Sequence, residues 1–276
     1  MIAATLLAFR EGLEAALILG IVLSVLRRVG RRDQEKLVWL GAGLAALASL
    51  AAGVGLYALG IGLEGRAEKT FEGVAMLFAA GILTWMIFWM DRQGRAIQAG
   101  LEQDVLRATR GGGRWAIFSL AFVAVFREGI ELALFLTAAA FTATAGATLI
   151  GGLAGLGLAV LAGWALFATA ARLDVGTFFR VTSILLLFFA AGLVAHGVHE
   201  LYEAGIVPAV VEHVWDLNPV LDESSGAGQI LKTLFGYNGN PSLTEIVAYA
   251  GYWVVVLLAL RRRRRTGLLG EPLFGQ

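Results

Sequence analysis

Arg10-Glu11-Gly12-Leu13-Glu14 interrupts an otherwise apolar run at residues 2–26, and the pattern returns as Arg127-Glu128-Gly129-Ile130-Glu131. Each motif places one base and two acids in a segment long enough to cross a bilayer, which takes about 20 mostly apolar residues. At a rise of about 1.5 Å per residue, Arg10 to Glu14 lie roughly 13–20 Å along the first helix. That is near the middle of a hydrocarbon core about 30 Å thick. An acid or an arginine at that depth costs roughly 2.5–3.5 kcal/mol on insertion scales. Six such side chains in two motifs require compensation, and the two segments are expected to supply it to each other.

The neighbourhood of the motifs repeats as well. The motifs are 117 residues apart; Gly53, Leu56 and Tyr57 align with Gly163, Leu166 and Phe167 at an offset of 110. Phe78-Ala79-Ala80-Gly81 aligns with Phe189-Ala190-Ala191-Gly192 at 111, the longer first connection absorbing the drop. Seven stretches qualify as spans: 2–26, 37–60, 70–90, 115–139, 147–170, 181–202 and 246–260. Three spans per unit is an odd number, so the second unit enters the membrane from the opposite side, an arrangement common among transporters. Connections rich and poor in Lys and Arg alternate, from Arg27, Arg28, Arg31, Arg32 and Lys36 in the first to Lys232 alone in the sixth. The third connection contributes Arg92, Arg95, Arg107, Arg110 and Arg114, and the fifth Arg172 and Arg180. This pattern puts the N-terminus outside and the C-terminus in the cytoplasm.

The expected fold is therefore an all-α integral membrane protein, seven transmembrane helices in a 3+3 inverted-topology repeat plus one. Residues 1–114 form the first repeat, 115–203 the second, 204–245 an extracytoplasmic acidic loop, and 246–276 the seventh helix with its basic tail. Composition agrees: of 276 residues 58% are hydrophobic and 16% charged, against about 25% charged in soluble domains. A net charge of +1 argues against nucleic acid as a partner, and the run Arg261–Arg265 reads as an anchor on an anionic leaflet. The absence of cysteine excludes disulfides, thiolate catalysis and iron–sulfur clusters. Any metal is then held by oxygen or imidazole, which favours harder cations. The first 26 residues lack a basic n-region and carry the motif charges, so they are expected to be mature structure.

Carboxylates three residues apart share one helix face. Gly12 and Gly129, between them, are expected to let the two motif helices approach. Antiparallel packing would gather Glu11, Glu14, Glu128 and Glu131, with Arg10 and Arg127 as charge partners. Two positive and four negative charges leave a balance of −2, which a hard di- or trivalent cation compensates most simply. An Arg–Glu network that only fastens the helices, or a proton relay, are the other readings. A second cluster is expected at the outer mouth, where Glu68 and Glu72 open the third span and His196, His199, Glu200 and Glu203 close the sixth. It reads as the first station for a hydrated metal, with His196 as a packed imidazole and Glu68 as a partner of Lys69 or Arg66 in the plainer view. In the long outer connection Asp222-Glu223 is the candidate receiving pair, the alternative being a solvated acidic loop. Ser224 or Ser225 is suited to cap a short helix running toward Phe235 and Gly236.

The paired motifs resemble those of the oxidase-dependent high-affinity iron permeases, in particular the bacterial Efe-type members. The likeness covers essentially the whole chain. It includes Glu72-Gly73, Thr84-Trp85-Met86, His196-Gly197-Val198-His199-Glu200-Leu201, Leu221-Asp222-Glu223-Ser224-Ser225, Leu234-Phe235-Gly236-Tyr237 and Tyr252-Trp253. The resemblance implies a multi-pass protein of the cytoplasmic membrane that imports iron as substrate, with no permanently bound cofactor. It implies that ferrous iron is oxidised outside and ferric iron moved through. Glu11, Glu14, Glu128 and Glu131 would be the ligands. It further implies extracytoplasmic partners, an oxidase or peroxidase and an iron-binding protein. The Glu-x-x-Glu loop motif of fungal relatives is absent in that form, Asp222-Glu223 being a partial stand-in. A permease for another divalent cation or for protons fits the same scaffold. A membrane-embedded metal or haem enzyme lacks its signatures, since there is no His-Glu-x-x-His and no Glu-x-x-His. The number of subunits, a homo-oligomer included, is open at this level.

Overall fold

A computed structural model describes residues 1–111, 113–168, 175–208, 211–223 and 225–268, and within these leaves out the side chains at 91–99, 110–114, 167–176 and 263–268. Arg92, Arg95, Arg110, Arg114, Arg172, Ser224 and Arg263 to Arg265, used above, thus lie outside the described residues or side chains. The described residues form α1 (Ile2–Arg28), α2 (Glu35–Ile61), α3 (Arg66–Gly111), α4 (Gly113–Thr142), α5 (Ala145–Ala168), α6 (Val175–Glu203), α7 (Gly226–Phe235) and α8 (Leu243–Leu268), with a 3-10 turn at Arg32–Gln34. They contain no strand.

By length and composition, five segments are apolar enough to cross a membrane: Arg32–Ile61, Arg66–Met90, Ala145–Leu166, Thr177–Glu203 and Leu243–Arg262. The charged motifs keep α1 and α4 from meeting the same description. These two are instead core helices, with Leu7, Arg10, Glu11, Val22 and Leu26 of α1 and Ile117, Ala121, Glu128 and Phe135 of α4 buried. Around them α2 and α5 turn Trp39, Leu47, Leu50, Leu153, Val160 and Trp164 outward, each more than half exposed. An apolar surface this continuous matches lipid rather than water.

Small residues set the pairing. α1 lies along α5, α2 along α4, and α3 along α6. A Cβ at Gly12 would lie 2.8 Å from Ala159 Cβ, and one at Gly163 2.9 Å from Ala16 Cβ. On the other seam a Cβ at Gly41 would lie 2.7 Å from Phe118 O, and one at Gly53 3.0 Å from Ala133 Cβ. Residue numbers rise together along both seams, so α1 runs parallel to α5 and α2 parallel to α4. Since α4 turns into α5 across residues 143–144, α1 and α4 run in opposite directions. The motif glycines therefore serve the seams with α5 and α2, not the α1–α4 approach expected of them: Gly129 faces Ser49 of α2.

Two expectations about connections change. The third connection is no loop: α3 continues to Gly111, because Leu101, Val105 and Ala108 form an apolar stripe at helical spacing. Val105 is fully buried against Val22, Leu26, Val38 and Ile117. The outer connection also folds inward. Ser225 caps α7 by accepting a hydrogen bond from Gly228 N at 3.0 Å, and Gly236 ends it at φ 69°. Gly236 then packs on Gly192 of α6, where a Cβ on Gly192 would lie 2.8 Å from Gly236 Cα. Phe235 stacks edge-on against Phe188, their centroids 5.2 Å apart.

Candidate metal site at the crossing of α1 and α4

Carboxylate oxygens of Glu11, Glu128 and Glu131 lie within 4.8 Å of one another, drawn from the two oppositely running motif helices. Glu11 and Glu128 are 1% and 3% exposed. Arg10 Nη1 donates to Glu11 Oε1 at 2.8 Å, and its Nη2 lies 3.2 Å from Glu14 Oε1. Arg127 Nε donates to Glu131 Oε1 at 3.2 Å and lies 3.7 Å from Glu128 Oε1. Each arginine thus pairs within its own motif, with the adjacent glutamate and with the one a turn further on. Glu14 lies outside the trio, and its Oε1, 3.2 Å from Arg10 Nη2, is likewise buried with no hydrogen-bond partner among the described residues.

The arginines leave work undone. Glu11 Oε2, Glu128 Oε2 and Glu131 Oε2 are buried with no hydrogen-bond partner among the described residues. Burying an unpaired polar atom is costly, and a charged one more so. Each carboxylate of the trio thus keeps one oxygen without a donor, and ligand atoms within 4.8 Å of one another are at a spread that oxygen bonds to a cation of about 2–2.5 Å can span. The two motif ends also differ: the Arg10 side chain is 1% exposed and that of Arg127 41%.

The outer cluster assembles differently from its expectation. Lys69 Nζ bridges Glu200 and Glu203, 2.9 Å from each. Neither Glu68 nor Glu72 has a salt bridge among the described residues. His196 Nδ1 bonds to Gly192 O at 3.0 Å, as a packed imidazole would. His199 places Nδ1 3.0 Å from Glu245 Oε1 and Nε2 3.3 Å from Glu203 Oε1. Glu245 was not singled out as a site residue from the sequence. Its signal was Ser242-x-x-Glu245 ahead of an apolar run, a capping box. Ser242 N and Oγ both donate to Glu245 Oε1, at 3.2 and 2.8 Å, and Glu245 N reaches back to Ser242 Oγ.

In the outer segment Glu223 is committed internally. It accepts from Lys232 Nζ at 2.8 Å and from Gly239 N at 2.7 Å. Burial pushes its carboxyl up, but these two donors outweigh burial and hold it below the usual carboxylate range. The backbone carbonyl of its neighbour Asp222 accepts from Ser225 Oγ at 2.6 Å.

Residues 1–263 match the iron permease FTR1 family. The chain belongs to that family. It is a multi-pass membrane protein and a transporter. The permease is 36% identical to the ferrous iron permease EfeU of Shigella sonnei (strain Ss046) over 265 residues, 95% of this chain and 96% of the relative. It is 36% identical to the EfeU of Yersinia pestis over 256 residues, 92% and 90% of the two chains. A third relative, equally similar at 36% over 265 residues, is named a putative inactive ferrous iron permease, from Escherichia coli (strain K12). Overall likeness at this level is thus shared by relatives named as active and as inactive permeases. No solved structure matches the permease.

Proposed function

We propose that the permease carries iron across the cytoplasmic membrane through the crossing of α1 and α4, with Glu11, Glu128 and Glu131 as ligands. Glu14 joins as the ion passes, and Arg10 and Arg127 balance the carboxylates when the ion is gone. One observation carries this reading: three carboxylates from two helices converge, and each keeps one buried oxygen without a hydrogen-bond partner. A purely structural Arg–Glu network would leave none of them spare. Ferric ion, formed from ferrous iron outside, is the species moved. An all-oxygen set with a surplus of −2 favours the harder, more highly charged ion.

Seven crossings in two inverted units frame this site, with residues 1–114 and 115–203 as the units and 246–276 as the added helix and tail. Support comes from contacts that obey the sequence offsets: Gly53 on Ala133 mirrors Gly163 on Ala16. Under the outward N-terminus, the exposed Arg127 lies on the cytoplasmic side of the trio and the enclosed Arg10 on the outer side. Glu68, Glu72, His196, His199 and Glu200 line the outer approach. The segment around Asp222 and Glu223 is where an extracytoplasmic oxidase and iron-binding protein dock.

The test is uptake of radioactive iron by cells carrying Glu131→Gln or Glu11→Gln at matched membrane levels. Uptake is expected to fall to background in both. Wild-type uptake by either variant removes that carboxylate from the site. Adding an impermeant ferrous chelator after external oxidation is expected to leave wild-type uptake intact, and a complete block would assign transport to ferrous iron. Manganese that cuts iron uptake about in half at equal concentration, as an ion of equal affinity would, favours a general divalent permease.

A further inference from the structure

One turn of α3 touches the arginines of both motifs. Met86 Sδ lies 3.4 Å from Arg10 Nη1 and Met90 Sδ 2.8 Å from Arg10 Nη2. Between them Trp89 presents its ring to Arg127, whose guanidinium carbon is 4.7 Å from the ring centroid. We propose that Met86, Trp89 and Met90 are positioning residues for transport, holding both motif arginines beside the carboxylates so that carboxylate oxygens stay free for the cation. This inference rests on the carboxylate reading of the site.

A guanidinium carries five N–H donors, and Arg10 is too deeply enclosed for water to serve them. Glu11 and Glu14 take one side of the group, and the two thioethers face the other. A thioether is a weak acceptor, so it occupies an N–H without tying the arginine down. Without it, the strong acceptors in want of a donor are carboxylate oxygens of the same motif, Glu14 Oε1 at 3.2 Å from Nη2 and Glu11 Oε2, both orphaned. Arginine and cation would then compete for the same atoms. At Arg127 the indole face does the equivalent work. It attracts the flat cation through its quadrupole and leaves Nε 3.7 Å from Glu128, beyond hydrogen-bond reach.

This platform is not a product of the repeat. At the offset of 111, the positions matching Met86, Trp89 and Met90 are Gly197, Glu200 and Leu201. None of these offers a thioether or an indole. A single helix of one unit thus governs the arginines of both.

Two sets of variants separate positioning from packing, read as initial rates of radioactive iron uptake across a range of iron concentrations. Leucine replaces methionine at nearly constant volume, so Met86→Leu/Met90→Leu keeps the packing and removes the acceptors. Trp89→Leu removes the cation–π contact, and Trp89→Phe keeps an aromatic face. The methionine pair and Trp89→Leu are expected to raise the apparent KM about five-fold, with the maximal rate per inserted molecule unchanged. Trp89→Phe is expected to stay within about two-fold of wild type. An unchanged KM in the methionine pair, or Trp89→Phe as impaired as Trp89→Leu, overturns the proposal. If Trp89→Leu fails to insert, the methionine pair decides alone. Glu131→Gln is assayed alongside. Normal uptake there sinks the carboxylate reading, whereas lost uptake there beside a normal KM in the α3 variants sinks only the platform.

Discussion

Gly129→Ala is expected to loosen the α2–α4 seam by an amount that can be worked from two atoms. The new Cβ would lie 2.6 Å from Ser49 Cβ and closer still to Ser49 Oγ. Ser49 is 4% exposed and its hydroxyl points at Phe126 O, 3.5 Å away, so rotating Oγ aside leaves the Cβ conflict in place. Overpacking of this kind costs about 1–3 kcal/mol. Alanine recovers about 0.5–1 kcal/mol over glycine within a helix. The net loss is then about 1–2 kcal/mol, a five- to thirty-fold shift toward the unfolded form. The measurement is reversible unfolding of purified protein in mixed micelles of increasing denaturing detergent. Ser49→Gly in the same chain is expected to restore the midpoint, because both offending atoms disappear. Ser49→Ala is expected not to, because Cβ remains. A neutral Gly129→Ala, or equal rescue by both partners, would refute the assignment of the motif glycine to this seam.

Two further outcomes follow from the outer face. Glu245→Ala breaks the capping box of α8 and its bond to His199 together, so detergent stability is expected to fall by about 1–2 kcal/mol; an unchanged midpoint would show that the box carries no weight. The second concerns pH. Because the folded carboxyl of Glu223 sits below its ordinary value, its stabilisation is fully present above about pH 4.3 and is lost as pH falls through the folded value. Proteolysis of the 204–245 segment is expected to speed up on acidification below that point in wild type and to show no such step in Glu223→Gln. A matching step in both would assign it elsewhere.

How much of this was legible in the residues depends on what kind of force decides each part. The apolar helices were readable because twenty apolar residues with a charged interruption admit few structures in a bilayer; the run of α3 on to Gly111 was not, because its second half is polar apart from one narrow stripe. The juxtaposition of the motifs was readable because six mid-membrane charges have to find one another. The partner of each glycine was not, since Gly12 between two glutamates fits a seam with α4 as well as one with α5, and only the packing of Ala159 and Leu156 decides. Glu14 was grouped with three other acids because spacing shows a shared face. Spacing does not show that Glu14 falls outside the trio. The inward fold of α7 was hidden by its polar flanks. Ser225 and Gly236 marked its ends correctly, but the contact of Gly236 with Gly192 lies 44 residues away in sequence. Met86 entered only through the Thr84-Trp85-Met86 likeness, and Trp89 and Met90 carried no signal beyond apolar content.

The central claim is most directly tested by locating the ion. Crystals of the permease loaded with iron, with diffraction collected on either side of the iron absorption edge, are expected to show one anomalous peak bounded by Glu11, Glu128 and Glu131, and to lose it in Glu131→Gln. A peak at the outer cluster alone, or an undiminished central peak in Glu131→Gln, would contradict the account.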